Sequence, residues 1–396
     1  MNCKKILCVC ISMLIMVNMI GSYTVSAVCE NDNSETVSVD EVINNMSAGS
    51  LAAFEVTTGK KLFSKNEDDV KSISHLTKLM TLLLTIEALD SNDISMNDDL
   101  TVSDYANSMT DPQIWLDKGE KIKIEEAIKA ITIGNANDAC VVLAEGICGS
   151  EKDFVDKMNE RAKQLSMNKT CFTDCTGISS SNVSTVSDIS ILCFELLKYK
   201  NLKPYFTTWM DTVRNGKAEL VNQNRLVRNY KGINGIKACG SEISGHCICA
   251  SAKQQNMSVC VILIGSKNAE DSNNDAKKLL DMSFDSYEVY TPEIPDDFIK
   301  NMNIENGEKS DVEVEVINKE NVVIPRGSYH NIEMSYDRKN TVSAPVNKGT
   351  SVGKLKYILG NNKIAEVEIV VKYNVKKMNI SIAVEKLMYN LLNLEC

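Results

Sequence analysis

Apolar side chains recur at helical spacing in the segment 71–90, which reads KSISHLTKLMTLLLTIEALD. After Ile73 they follow in steps of three and four residues, which predicts an amphipathic helix with one face in the core. The apolar positions are Leu76, Leu79, Met80, Leu83, Ile86 and Leu89. Lys78 would lie one turn inside this helix, and because burial of a lysine is costly unless the amine has a task, we expect the first turn to face a functional site. The alternative is a lysine that extends its amine to solvent from an ordinary core helix.

The segments around this helix predict an α+β domain. A β-hairpin is predicted around a glycine turn, with strands at 51–56 and 61–63. Helical spacing returns at 124–132, 137–147, 151–165 and 185–199, and short apolar strands follow at 235–238, 246–252 and 258–264. This order is typical of an antiparallel sheet flanked by helices, in which the first and last strands pair.

Beyond residue 290 the pattern changes to short alternating segments separated by turns. Strands are predicted at 312–317, 321–324, 332–336, 355–359 and 364–371, so we expect a small all-β sandwich over residues 292–374. In the tail, helical spacing places Ile380, Val384, Leu387, Leu391 and Leu394 on one stripe. Residues 376–396 therefore predict an amphipathic helix on a membrane surface, with a helix docked on the protein as the alternative.

Composition and charge narrow the classes of function. A chain with 43% hydrophobic and 24% charged residues is ordinary for a globular protein, and a net charge of -10 argues against a nucleic-acid partner. Two lysines, an apolar run over residues 6–20 and the sequence Val25-Ser26-Ala27 predict a signal peptide, residues 1–27, and export to the outer face of the cytoplasmic membrane or the cell wall. A retained membrane helix is the alternative.

Three polar segments carry the candidate chemistry: SHLTK at 74–78, GNANDA at 134–139 and NGIKACGS at 234–241. With the hairpin FEVTTGKKLFSKN and the sandwich phrase APVNKGTSVGKL, they resemble the serine-type D-Ala-D-Ala carboxypeptidases, the low-molecular-mass penicillin-binding proteins. The resemblance covers nearly the whole chain. It implies a transpeptidase-type domain over residues 37–288, a peptidoglycan stem peptide ending in D-Ala-D-Ala as the substrate, and no cofactor or metal.

The first two motifs of this family, S-x-x-K and S-x-N, are altered here. Three residues before Lys78, the position of the nucleophilic serine is held by His75. The serine position of the second motif is held by Asn135, with Asn137 in its place two residues on. An imidazole cannot form the stable ester through which a serine enzyme passes, and Asn135 has no hydroxyl to relay a proton.

The third motif, K-T-G, reads Lys237, Ala238, Cys239. In the family this strand grips the terminal carboxylate of the substrate, and its glycine lets the substrate backbone approach closely. Ala238 lacks the hydroxyl, and the side chain of Cys239 would narrow the groove. The three altered motifs together indicate a catalytically impaired protein, a pseudoenzyme, that still binds peptidoglycan peptides.

Two other interpretations remain open. Ser74 lies four residues before Lys78, and residues four apart share a helix face, so Ser74 is an alternative nucleophile of an active carboxypeptidase. A one-residue shift rotates the hydroxyl by about 100 degrees, however, which argues against this placement. The third interpretation is a thiol and imidazole pair of His75 with Cys239, or a metal site near His246, Cys247 and Cys249.

Overall fold

A computed structural model describes residues 38–392 of the protein. The predicted signal peptide, residues 1–27, and the last four residues of the predicted tail helix lie outside these described residues. The described chain begins in a unit that ends at Met46 and contains helix α1 (Val39–Asn44). The hydroxyl of Ser38 caps this helix by accepting a hydrogen bond from the N–H of Glu41.

From Ser47 onward the chain first forms an α+β domain, as the order of the predicted elements indicated. Its strands are β1 (Ser50–Glu55), β2 (Lys61–Lys65), β3 (Lys71–Ser72), β4 (Asp99–Thr101), β5 (Lys121–Lys123), β6 (Val183–Ser184), β7 (Met210–Val213), β8 (Ala218–Val221), β9 (Ile233–Ser241), β10 (Gly245–Gln254) and β11 (Met257–Ser266). Its helices are α2 (Lys78–Asp90), α3 (Asp104–Asn107), α4 (Ile124–Gly134), α5 (Asn137–Cys148), α6 (Glu151–Gln164), α7 (Val186–Lys198), α8 (Lys203–Thr207), α9 (Leu226–Asn229) and α10 (Ala269–Ser286).

A five-stranded antiparallel sheet forms the base of this domain, in the order β2-β1-β11-β10-β9. The predicted pairing of the first and last strands is present, since Ser50 lies opposite Ile264 and Glu55 opposite Val259. Helix α10 packs against strands β10 and β11 of the sheet, and helix α7 contacts strands β1 and β11. The central strands β10 and β11 are therefore apolar nearly throughout, whereas β9 is left as an edge strand.

Helix α2 begins later than the sequence predicts and is buried on more sides. Residues 71–77 form β3 and a 3-10 turn, Ser74–Thr77, so Lys78 is the first residue of α2. The prediction of a single core face was also wrong, because every residue from Lys78 to Ile86 is buried. Helices α4, α5, α6 and α7 all pack against α2, which explains why its sequence is apolar on all sides.

The predicted all-β domain follows α10. Its strands are β12 (Tyr287–Tyr290), β13 (Met302–Glu305), β14 (Asp311–Val312), β15 (Val314–Ile317), β16 (Val322–Pro325), β17 (Ile332–Arg338), β18 (Thr341–Ser343), β19 (Ser351–Leu359) and β20 (Asn362–Val371). They form a four-stranded sheet, β15-β20-β19-β17, a three-stranded sheet, β14-β13-β18, and the pair β12-β16. Phe298 and Tyr357 lie in the apolar core between them. The short strands β12, β13 and β18 were not predicted.

The tail forms helix α11 (Ile380–Leu392). Its apolar side chains are exposed, including Ile380 at 85% and Leu387 at 63% of their full accessible surface. In residues 38–392 no helix combines the length and the apolar character that a membrane crossing requires.

Candidate functional site

Lys78 is the centre of the candidate site and is completely buried. Its Nζ lies 2.9 Å from His75 Nδ1, 2.6 Å from Asn137 Oδ1 and 2.5 Å from the carbonyl oxygen of Thr176. Three acceptors match the three N–H donors of an ammonium group. Burial lowers the pKa of Lys78, so these contacts are what stabilises a charged amine in the core.

His75 separates this amine from the solvent. Burial, together with the neighbouring charge of Lys78, lowers the pKa of His75 to about 3, so the imidazole is neutral at physiological pH. The ring Nδ1 lies within hydrogen-bonding distance of both the Lys78 amine and the Thr176 carbonyl, and the tautomer of the imidazole decides whether it accepts from the first or donates to the second. Nδ1 lies 3.0 Å from the Thr176 carbonyl oxygen, so the imidazole, the Lys78 amine and this carbonyl form one hydrogen-bonded cluster.

The loop 174–182 supplies the Thr176 carbonyl and is held by the carboxylate of Asp174. This carboxylate accepts hydrogen bonds from the backbone N–H groups of Thr176, Gly177 and Ser179 and from the amide of Asn182. Burial opposes the charge of Asp174, but these hydrogen bonds outweigh it and the pKa of Asp174 is lowered. Gly177 has a φ of +85°, and a Cβ there would lie 2.0 Å from the carbonyl oxygen of Ser74. The loop therefore packs directly against the 3-10 turn that carries His75.

Asn135 and Asn137 lie on either side of the start of helix α5. Asn137 is the first residue of α5; its side-chain oxygen accepts from Lys78, and its Nδ2 donates to the carbonyl of Thr110 at 2.8 Å. Asn135 ends α4 in the left-handed conformation, with a φ of +59°. Its Nδ2 donates to the carbonyl of Ala238 at 3.1 Å, and its buried Oδ1 has no hydrogen-bond partner within residues 38–392. Asn135 thus bridges α4 to the edge strand β9.

Lys237 and Cys239 point from β9 towards the same buried region. Lys237 is fully buried, and its Nζ donates to the carbonyl oxygen of Ile131 at 2.7 Å, near the C-terminal end of α4. Burial, with a smaller contribution from the charge of Lys78, lowers the pKa of Lys237 to about 7. Cys239 lies directly opposite Cys247 on β10, and contact with this thiol and burial raise the pKa of Cys239 well above its ordinary value. Cys239 is therefore a protonated thiol.

An open groove of about 550 Å³ lies above this centre. Its lining includes His75, Gln113, Trp115, Gln223, Gly240 and Ser241. Of the described residues that line it, His75 is a site residue predicted from the sequence, and Gly240 and Ser241 belong to the third predicted segment, 234–241. Lys78 and Lys237 are both sealed below the surface, so a ligand in the groove would meet the imidazole and amide groups first.

The structure does not bring together the groups of the two other interpretations. Ser74 has a φ of +45° and lies before helix α2 begins, so it does not share a helix face with Lys78, and no hydrogen bond joins the two within residues 38–392. In the same range, no hydrogen bond joins His75 to Cys239 and no group of three or more His, Cys, Asp or Glu side chains is arranged to hold a metal ion.

Several residues of the site were not identified from the sequence. They are Thr176 and Asp174 below the groove and Gln113, Trp115 and Gln223 around it. For Asp174 a local pattern was available, since an aspartate three residues before a glycine is typical of a turn in which the carboxylate binds backbone N–H groups. The others lie in loops far from the three motifs along the chain.

Comparison with known proteins shows similarity through both domains. A family model described as D-alanyl-D-alanine carboxypeptidase matches residues 34–268, and a model of the penicillin-binding protein 5 C-terminal domain matches residues 287–377. The chain is 32% identical over 372 residues to D-alanyl-D-alanine carboxypeptidase DacF of Bacillus subtilis, which covers 93% of this chain and 94% of that relative. It is 28% identical over 332 residues to DacC of Escherichia coli, covering 82% and 83%.

Solved structures show the same fold. Penicillin-binding protein 5 of Haemophilus influenzae superposes with a TM-score of 0.74 at 24% identity, covering 84% of this chain and 98% of that one. Penicillin-binding protein 6B of Escherichia coli superposes with a TM-score of 0.69 at 22% identity, covering 82% and 95%.

Proposed function

Because the chain belongs to the D-alanyl-D-alanine carboxypeptidase family, we propose that it is an exported cell-wall protein that binds peptidoglycan stem peptides ending in D-Ala-D-Ala without hydrolysing them. Family membership supports the ligand class. The geometry of the three altered motifs supports the loss of hydrolysis.

The position of the Lys78 amine carries this proposal. In a serine carboxypeptidase the amine must take a proton from a hydroxyl that attacks the peptide. Here His75 occupies that position, and its Nδ1 lies 2.9 Å from the amine. The amine also contacts Asn137 and the Thr176 carbonyl, so its hydrogen-bonding positions are filled and no hydroxyl stands beside it to be activated. Loss of a nucleophile typically lowers the rate by about a million-fold.

The second and third motifs support the same conclusion. Asn135 donates to the carbonyl of Ala238 and so occupies an acceptor on the edge strand instead of relaying a proton. Cys239 is buried as a protonated thiol, which makes it a poor nucleophile. These two features mean that a hydroxyl restored at position 75 alone would still lack its partners.

Binding is supported by the groups that face the groove. His75 lines the groove as a neutral imidazole at physiological pH, which can hydrogen-bond to a peptide without carrying charge. The amides of Gln113 and Gln223 add donors and acceptors along the groove. This arrangement can hold a peptide by hydrogen bonds without attacking it.

Attachment to a membrane surface is the second part of the proposal. The apolar stripe of α11 is exposed, with Val384 at 55% and Leu391 at 55% of their full accessible surface. Such a stripe is favourable when it lies in a membrane interface, where apolar side chains enter the lipid boundary. A signal peptide at residues 1–27 would bring the chain to the outer face of that membrane.

The experiment uses the chain from Val28 onward, a pentapeptide ending in D-Ala-D-Ala and the same peptide ending in L-Ala-L-Ala. Calorimetry should detect binding of the first peptide only, while chromatography detects no released D-Ala. Fluorescent penicillin should leave the protein unlabelled after denaturation. Covalent labelling that disappears in Ser74→Ala would instead establish an active serine enzyme, and equal binding of the two peptides, or none, would refute the proposed ligand. Sedimentation with liposomes, lost when residues 376–396 are deleted, tests the membrane attachment.

A further inference from the structure

Trp115 projects from the wall of the groove in an unusual conformation. Its side chain is 63% exposed, and its backbone has a φ of +54°, a region that bulky residues rarely adopt. Ile114 and Leu116 on either side are 2% and 1% exposed. Isolated apolar residues on a surface are common, so exposure by itself does not indicate a binding site. Trp115 differs from such residues because its backbone is left-handed and lies between two buried side chains, those of Ile114 and Leu116.

A buried carboxylate holds this tripeptide from below. Asp138, the second residue of helix α5, accepts hydrogen bonds from the N–H groups of Ile114 and Leu116 at 3.1 Å each. It also accepts from the N–H of Ala139 at 2.9 Å. Asp138 directly follows Asn137, which binds the Lys78 amine, so one turn of α5 holds both the centre of the site and the wall of the groove.

A guanidinium group holds the same tripeptide through its carbonyl groups. Arg214 Nη1 donates to the carbonyls of Ile114 at 2.9 Å and Trp115 at 2.6 Å. The guanidinium is fixed in turn by Glu120, which accepts from Nε at 2.9 Å, and the Arg214 side chain is only 7% exposed. Asn107 Nδ2 donates to the carbonyl of Leu116 at 2.7 Å. The backbone on both sides of Trp115 is therefore fixed by hydrogen bonds, so the position from which the indole projects into the groove is held in place.

An indole on a fixed backbone is suited to binding, because the backbone loses no conformational entropy when a ligand stacks on the ring. The neighbouring groups indicate which ligand. Apart from Trp115 and Pro112, the larger side chains around the groove are polar, namely Asp111, Gln113, Gln223 and His75. A pyranose ring has one face of C–H groups, which stacks on an aromatic ring, and an edge of hydroxyl and acetamido groups, which amides and carboxylates bind. An aliphatic peptide side chain would instead favour an apolar lining.

We propose that Trp115 is a stacking platform for a sugar ring of the glycan strand, so that the protein recognises a stem peptide that is still attached to its disaccharide. The proposal rests on the function proposed above and specifies the ligand of the same groove. Gln113 and Asp111 beside the platform would bind the polar edge of the sugar, while His75 meets the peptide.

The test uses the tryptophan content of the chain, which is only two. Trp209 packs against the Arg228 guanidinium, 4.9 Å from its ring centre, and is replaced in Trp209→Phe so that fluorescence reports Trp115 alone. The probes are a disaccharide-pentapeptide, the free pentapeptide and the free disaccharide. The variants are Trp115→Ala, Trp115→Phe as the conservative change, and Tyr329→Ala as an exposed aromatic control in the β-sandwich domain.

We expect the disaccharide-pentapeptide to change the Trp115 fluorescence and to bind at least 10-fold more weakly to Trp115→Ala, whereas Trp115→Phe recovers most of the affinity and Tyr329→Ala has no effect. The free pentapeptide should bind Trp115→Ala and the parent equally. An equal loss for both ligands would overturn the sugar platform but leave the peptide-binding function intact. Disaccharide binding at Trp115 without any peptide binding would support the platform and refute the peptide function. No fluorescence change with either sugar-containing probe would overturn the proposal.

Discussion

Replacement of Lys237 by methionine should make this protein more stable. Lys237 is fully buried, and its Nζ donates to the carbonyl oxygen of Ile131. Burial lowers the pKa of Lys237 from 10.5 to about 7. Such a lysine is expensive for a protein to keep, and methionine has a similar length and shape without the charge.

The pKa of Lys237 gives both the sign and the size of the effect. Since the pKa is lower in the folded protein than in the unfolded chain, the unfolded chain binds more protons between pH 7 and pH 10.5. Burial of Lys237 therefore costs no stability above the unfolded pKa, and the cost grows as the pH falls from the unfolded pKa to the folded pKa. At about 1.4 kcal/mol per pH unit, the total cost below pH 7 is about 5 kcal/mol. Loss of the hydrogen bond to Ile131 offsets about 2 kcal/mol, which leaves a net gain of about 3 kcal/mol for Lys237→Met near pH 6.

Urea unfolding of the parent and of Lys237→Met at several pH values from 6 to 10 measures this effect. Lys253→Met is the matched control, because Lys253 is an exposed lysine on the neighbouring strand β10. The free energy of unfolding of the parent should rise with pH relative to that of Lys237→Met, so that the two curves cross near about pH 9 and the parent is the more stable protein at pH 10. Lys253→Met should follow the parent.

Two results would refute this reasoning. If Lys237→Met is less stable than the parent at pH 6, the contact with helix α4 outweighs the cost of burial. If the two curves run parallel from pH 6 to pH 10, Lys237 does not titrate in this range and its amine is stabilised by its surroundings.

Two further changes test the site. A triple change, His75→Ser with Asn135→Ser and Cys239→Gly, should be labelled by fluorescent penicillin at least 100-fold more than His75→Ser alone. The reason is that acyl transfer needs the hydroxyl, its relay and an open strand edge together. Equal labelling of the two variants would show that the second and third motifs are not disabling. Gly177→Ala should lower the free energy of unfolding by more than about 3 kcal/mol, because the new Cβ would overlap the backbone of the 3-10 turn. Gly59 has open space around it, so Gly59→Ala should lower the free energy of unfolding by only about 1–2 kcal/mol, the cost of a left-handed backbone. Similar losses at the two glycines in urea unfolding would contradict this packing.

The pattern of apolar residues predicted the elements of the fold better than their ends. It identified helix α2 and its end at Asp90, because steps of three and four residues are a local property of the sequence. It placed the start of α2 seven residues too early. The conformation of residues 74–77 depends on the loop around Gly177, about 100 residues further along the chain, and no local pattern contains that contact.

The same distinction holds for the site. The family motifs identified His75, Lys78 and Asn137, which the structure brings into direct contact. They did not reveal that the carbonyl of Thr176 is a partner of Lys78, because any residue type can supply a backbone carbonyl. The support of the groove wall by Arg214 was equally hidden, since that contact depends on the folded path of two distant loops.

The first turn of helix α5 couples two parts of the protein that otherwise have separate tasks. Asn137 binds the buried amine of Lys78, and the next residue, Asp138, binds the backbone beside Trp115. Consecutive residues of a helix point about 100 degrees apart, so a small rotation of α5 would displace the floor and the wall of the groove in concert. Displacement of this one turn would therefore disturb both the contact of the Lys78 amine and the backbone beside Trp115.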